Sequence, residues 1–341
     1  MNSRSGGRPR IAAAWIAGLL LGLSAWSAQA APPAQRPIFV LNSLDADVSV
    51  IDPVSFQQVK RIPTGKEPHH LYLTPDNKSM IVANALGDSL TFIDPVTAEV
   101  QRTLRGIVDP YHLRFSPDMK WFVTAGNRLD HVDLYLWQPT NAEQPLKLVK
   151  RISAPKTPSH LAIDTRSSVV YVSLQDSNEL LAVDLATQAV RWKVPVGQMP
   201  ADIYLTPDDK HLLVALTGDK MVEVYEVGGL AQPRLVKRLP TGDGAHSFRA
   251  WGDKRHVLVS NRAANTISKI DFQALAVVDE FRAPGGPDDM EILPDGRTLI
   301  YTSRWARKLT MMDLQTKKVL QQVKVGKSPH GVWTLDHVSR Q

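Results

Sequence analysis

Val48-Ser49-Val50-Ile51-Asp52-Pro53 and Leu90-Thr91-Phe92-Ile93-Asp94-Pro95 are one pattern written twice, with their aspartates 42 residues apart. Asp271 and Asp313, closing Lys269-Ile270-Asp271 and Met311-Met312-Asp313, keep the same spacing, and Leu181-Ala182-Val183-Asp184 is a further copy. Weaker copies fall around Leu136 and Glu226. A second marker follows the same beat: Thr74-Pro75-Asp76, Ser116-Pro117-Asp118, Thr206-Pro207-Asp208 and Leu293-Pro294-Asp295. Apolar runs come next, as in Met80-Ile81-Val82-Ala83-Asn84, His256-Val257-Leu258-Val259-Ser260-Asn261 and Leu299-Ile300-Tyr301-Thr302. Short β-branched and aromatic segments separated by Pro, Asp, Gly and Asn spell strands and turns, not helices.

A four-stranded unit of this length cannot bury both faces alone, so neighbours must stack around it, which is the logic of a propeller blade. Seven sets of three strands are expected, within 36–64, 79–106, 120–153, 168–197, 210–240, 254–284 and 297–326. Innermost strands precede only six of them. The seventh reappears at the far end of the chain as Pro329–Leu335, so the last strand is expected to complete the first blade and close the ring. The fold class is all-β, a seven-bladed propeller spanning residues 31–341 without a second domain.

The triplets Thr74-Pro75-Asp76, Ile81-Val82-Ala83-Asn84 and Phe92-Ile93-Asp94, echoed in the other blades, resemble the YVTN-repeat β-propellers over the whole of residues 31–341. Blade 3 departs most, with Gln138–Pro145 inserted between its outer strands. The resemblance implies the fold and leaves activity open, because such folds host many functions. It brings in the haem-d1 domain of cytochrome-type nitrite reductases, the methylamine dehydrogenase heavy chain, lactonases, and an exported member able to bind single-stranded DNA.

Residues 1–30 read as a cleaved secretory signal: Arg4, Arg8 and Arg10, an apolar run from Ile11 to about Ala25, and Ala28-Gln29-Ala30 as a small-x-small cleavage site. That run is too short for a comfortable membrane span. A periplasmic or secreted location follows, with cleavage after Ala30 and no membrane span afterwards. The three arginines hold half of the formal charge of +6, so the remainder is too weakly basic to argue for nucleic acid. With 43% hydrophobic and 22% charged residues the composition is that of an ordinary globular protein. Cysteine is absent, which excludes disulfides, thiolate-ligated zinc, iron–sulfur clusters, c-type haem attachment and thiol nucleophiles.

Aligned on the Thr-Pro-Asp turn, the starts of the innermost strands read His69-His70, Tyr111-His112, Ser159-His160, Ala201-Asp202, His246-Ser247, Asp288-Asp289 and His330-Gly331. Six of the chain's ten histidines occupy these positions, where an even scatter would place fewer than one. Innermost strands surround the channel and begin on one face, so His69, His70, His112, His160, His246 and His330 are candidate metal ligands at one channel mouth. Neutral imidazole suits zinc, copper, nickel or iron. His70, His112 and His160 lie on consecutive blades, and His246, Asp289 and His330 form a second arc, expected to lie too far off to share one ion. The bland alternative is that these histidines are inherited turn elements.

Loops on the same face offer Asn42, Asn84, Arg128, Asn261-Arg262 and Arg304. Arginine forks suit carboxylates, so Arg262 and Arg304, with Asp202 and Asp289, are candidate cofactor-binding residues. The resemblance to the haem-d1 propeller implies one concrete cofactor, a haem-type tetrapyrrole with a histidine axial ligand. A transition metal (Cu, Zn or Fe) is the other. Asp52, Asp94, Asp184, Asp271 and Asp313 are expected to make turn hydrogen bonds, and Trp121, Trp251, Trp305 and Trp333 to wedge between blades.

No nucleophile elbow, phosphate loop, His-Glu-x-x-His run or dinucleotide fingerprint is present. The function expected is therefore binding of a metal or metal-bearing cofactor by an exported monomer, in a carrier, sensor or assembly role without fast turnover. The competing class is an interaction scaffold for a protein or, with weaker support, nucleic acid, its histidines structural. A lactonase-like hydrolase would have only Asp202 and Asp289 to work with.

Overall fold

The computed structural model describes Gly6 and residues 36–340, so the expected signal segment lies, Gly6 apart, outside the described residues. Its strands form seven antiparallel four-stranded sheets. Each of the seven expected segments contains three consecutive strands, as 79–106 holds Met80–Asn84, Ser89–Ile93 and Val100–Arg105. The ring closes as the repeat requires: Pro329–Trp333 pairs antiparallel with Ile38–Asn42, placing Phe39 opposite Trp333.

Each blade alternates its side chains between two faces, and each face meets the next blade. Seven apolar clusters result, one per seam. Leu161, Val170 and Val183 pack on Val123, Val132 and Leu134; Phe39, Leu41 and Val50 pack on Val82 and Ile93; and Ile300, Leu309 and Val323 close the circle against Ile38, Val40 and Ile51. Trp121, Trp251 and Trp333 pack into these seams. Trp305 does not: it lies on a loop with 59% of its surface exposed.

The repeated aspartates do turn work. Asp94 accepts the Val96 and Thr97 amides at 2.8 and 2.9 Å, and Asp313 those of Gln315 and Thr316 at the same distances. In the Thr-Pro-Asp turns Thr74 Oγ1 donates to Asp76 Oδ1 at 2.7 Å, and Thr206 to Asp208 at 2.7 Å.

Two backbone devices recur where the innermost strands begin. A left-handed residue precedes each, directly in six blades and three residues earlier in blade 3: Glu67, Asp109, Thr157, Met199, Gly244, Gly286 and Ser328, with φ between 49° and 76°. Glycine adopts this freely, whereas the five other residues each pay about 1–2 kcal/mol. A bulge follows. Pro68 faces Asn84 and Leu71 faces Val82, so His69 and His70 together oppose one residue, Ala83. The same shift occurs in five other blades. A bulge suspends alternation and re-aims side chains, which lets two successive residues per blade turn toward the axis.

Candidate functional site

The strand starts, bulged in every blade but the third, bring all six histidines into one packed cluster across the channel. Ring centroids lie 4.5 Å apart for His70–His112, 4.8 Å for His70–His160, 4.9 Å for His112–His160, 3.9 Å for His69–His330 and 4.8 Å for His70–His330. His246 joins the arcs at 5.8 Å from His160 and 5.9 Å from His330. The expectation of two well-separated arcs is corrected here, because bulged strand starts reach further inward than alternating strands would. Tyr111 stacks on His69 at 4.0 Å and completes the plug.

Burial pushes every one of these imidazoles below its ordinary pKa, with neighbouring rings and arginines adding to the effect; His160 falls to about 3. All six are therefore neutral at neutral pH, the form that ligates metals. Their hydrogen bonds are incomplete. His69 Nδ1, His70 Nε2, His112 Nδ1, His160 Nε2, His246 Nε2 and both nitrogens of His330 are buried without a protein partner. An unsatisfied buried polar atom costs about 1–3 kcal/mol, so the set approaches the whole stability of a domain, about 5–15 kcal/mol. A ligand that accepts these lone pairs would remove that cost.

Three groupings place one ligand atom per residue within 4.8 Å of each other: His69/His70/His330, His70/His112/His160 and His246/Asp288/His330. Electrostatics separates them. Asp288 is fully buried and accepts from Arg262 Nε and Nη2 at 2.9 and 2.6 Å and from Arg304 Nη1 at 2.9 Å. His246 Nε2 and His330 Nε2 lie 3.4 and 3.8 Å from the same carboxylate. A cation there would meet two guanidinium charges. The His70/His112/His160 grouping includes no carboxylate, and the charge of Arg114 adds to the lowering of all three imidazoles. Ser159 Oγ lies 2.9 Å from His160 Nδ1 and orients that ring, leaving Nε2 free, the kind of outer support that ligating histidines use.

Arg262 and Arg304 thus sit beside the histidines with their forks engaged by Asp288. Arg128 bonds Asp88 at 3.0 Å. Asn42, Asn84 and Asn261 point into their own blades, donating to Ser49, Thr91 and Ser268 at 2.8, 3.0 and 2.9 Å. Asp202 accepts the Ile203 and Phe248 amides at 2.9 and 2.8 Å, and burial raises its pKa to about 6. Asp289 accepts from Ser247 Oγ at 2.9 Å; burial, then the charge of Asp288, lifts it to about 7.

Sequence reading passed over Asp288 as a functional residue and missed the layer beneath the histidines. A cavity of about 300 Å³ lies there, lined by His70, His112, His160, Asp202 and Asp289 and then by Tyr72, Arg114, Ala162, Tyr204 and Arg249. Those five stand two residues beyond the second member of their blade's pair. Once the bulge is passed, strand alternation returns them to the channel. Adding two to each pair would have found them.

Fold and site together define a propeller whose channel is closed by neutral histidines. The family profile of the YNCE-like beta-propeller matches residues 9–340, and the chain belongs to that family. Among solved structures, a functionally unknown protein from Desulfotomaculum acetoxidans is 17% identical with a TM-score of 0.73, over 88% of this chain and 98% of that one. The Pseudomonas aeruginosa periplasmic gluconolactonase is 18% identical with a TM-score of 0.72, over 90% and 99%. The dihydro-heme d1 dehydrogenase NirN, solved with DHE, is 16% identical with a TM-score of 0.65, over 89% and 76%. At these identities the likeness is one of fold. No curated protein sequence matches the chain.

Proposed function

We propose that this protein is an exported metal-binding propeller that holds a transition ion through His70, His112 and His160, as a carrier, sensor or assembly factor. The observation that carries this reading is that three neighbouring blades each present a neutral imidazole with a buried, unpartnered nitrogen. A tetrahedral zinc site with bonds of about 2.0–2.1 Å has nitrogens about 3.3 Å apart, so the rings must draw together modestly on loading. A bare ion is favoured over a tetrapyrrole. The rings are already in contact, and Arg262 and Arg304, the partners a macrocycle's acid groups would need, are taken by Asp288.

Untagged protein purified from its native compartment should contain a near-stoichiometric transition metal by elemental analysis, lost in the His70→Ala/His112→Ala/His160→Ala variant. Protein that is metal-free and refuses copper, zinc and iron when offered them would end this reading.

One observation favours a second reading, a scaffold that docks a partner. Trp305, Leu44 and Leu86 occupy equivalent loop positions on adjacent blades and are 59%, 75% and 52% exposed. Trp305 lies over Gly286, where a Cβ would come within 2.6 Å of the indole.

A further inference from the structure

The cavity beneath the histidines holds more donors than its own residues can use. Arg114 is half-buried there; its Nε donates to the Leu161 carbonyl at 3.3 Å, and its guanidinium lies 5.1 Å from the Tyr72 ring. No ion pair joins it to a carboxylate among the described residues. The cavity's other arginines differ. Arg249 and Arg340 both pair with Glu291, and Arg249 also donates to the Val338 carbonyl at 2.8 Å. Arg340 nevertheless keeps a buried Nε without a partner, and so does the hydroxyl of Tyr204. Neither Asp202 nor Asp289 pairs with Arg114: Asp202 accepts the Ile203 and Phe248 amides and feels the guanidinium only at a distance, and Asp289 accepts from Ser247.

A half-buried cation beside spare donors is stabilised by an anion. We infer that the cavity binds a small carboxylate, held at Arg114 and lying against the ion proposed at His70, His112 and His160. The half of this inference that concerns the ion rests on the proposed function; the anion site does not. A single free guanidinium fork matches two coplanar oxygens, whereas a phosphate dianion would set a second charge against Asp202 and Asp289. A volume of about 300 Å³ suits a small molecule. The same cavity is walled by His70, His112 and His160, so a three-histidine ion would keep an open position facing the ligand, the arrangement of reactive rather than purely structural metal sites.

Calorimetric titration with propionate, a monoanion, and with inorganic phosphate tests this on zinc-loaded and zinc-free protein. Propionate should bind, and Arg114→Gln should weaken it about tenfold or more, the scale of one charge-assisted pair, with zinc uptake no weaker. Tyr204→Phe, which removes one hydroxyl without altering packing, should weaken it severalfold and serves if Arg114→Gln does not fold. Equal propionate affinity in these variants, no propionate binding, or phosphate bound more tightly than propionate would each overturn the inference. Zinc refused while propionate still binds through Arg114 would keep the anion site and remove the metal reading.

Discussion

The two sides of the histidine cluster use the same repeat position for opposite ends. On blades 6, 7 and 1, His246 and His330 flank a buried carboxylate that two arginines already neutralise. On blades 2, 3 and 4, His70, His112 and His160 meet with no acid among them and a free nitrogen on each. Strand starts and left-handed residues are shared, and bulges too apart from blade 3, so backbone geometry does not distinguish the two. The charge brought by neighbouring blades does: one arc is a closed ion network around Asp288, and the other holds free nitrogens beside Arg114, a cation with no ion-pair partner among the described residues.

The sharpest way to break this comparison is to remove one histidine from each side. His160→Ala should cost about 100-fold or more in zinc or copper affinity, beyond the range seen for losing outer-shell support alone. His246→Ala should leave affinity within about threefold by the same competition titration against a chromophoric chelator. Equal losses would merge the arcs into one site.

Asp288→Asn attacks the closed side. It leaves Arg262 and Arg304, both half-buried, without a counter-charge, and the loss should fall below the about 3–5 kcal/mol of a fully buried pair. Denaturant unfolding should show that loss, while zinc uptake by the folded fraction persists.

Acid should act on both sides together. A histidine whose folded pKa is depressed contributes stability that is complete above 6.5 and is lost as pH falls toward the folded value, about 3 for His160. Asp202 and Asp289 oppose this: their raised pKa values favour the fold at low pH, an advantage lost as pH rises through about 6 and 7. Six depressed histidines outweigh two raised acids. The Tm should therefore climb between pH 4 and pH 6.5, and flatten or dip slightly above it. The smallest effect is expected at Trp305→Ser, within about 0.5 kcal/mol, as for other exposed sites. If that substitution abolishes capture of a defined partner while metal uptake is unchanged, the docking reading gains its first direct support.

The seven blades and the closing strand could be read from sequence because a 42-residue beat is a one-dimensional signal. Turn aspartates and apolar runs mark each repeat whatever surrounds them. The six histidines were legible for the same reason, being aligned to that beat. What surrounds them was not. Arg262 and Arg304 looked free because the carboxylate that takes both, Asp288, stands 26 and 16 residues away in sequence and meets them only through the fold. Asp289 was preferred to Asp288 because a bulge scrambles which member of a pair faces which neighbour. Arg114 was overlooked because alternation was not carried past that bulge. Trp305 was misplaced because a loop tryptophan at a repeat position carries no mark of whether a seam lies beside it.

The pairing of Phe39 with Trp333 also governs time. Every other blade is built from strands adjacent in sequence and can form locally as the chain emerges. The first blade cannot. Its three early strands must wait, with an unpaired edge exposed, until the 265 residues between Pro63 and Pro329 have been delivered. Closure of the ring is therefore the slow, late event of folding, and anything that delays the final strand lengthens the interval in which the newest copy of this protein is most prone to aggregate.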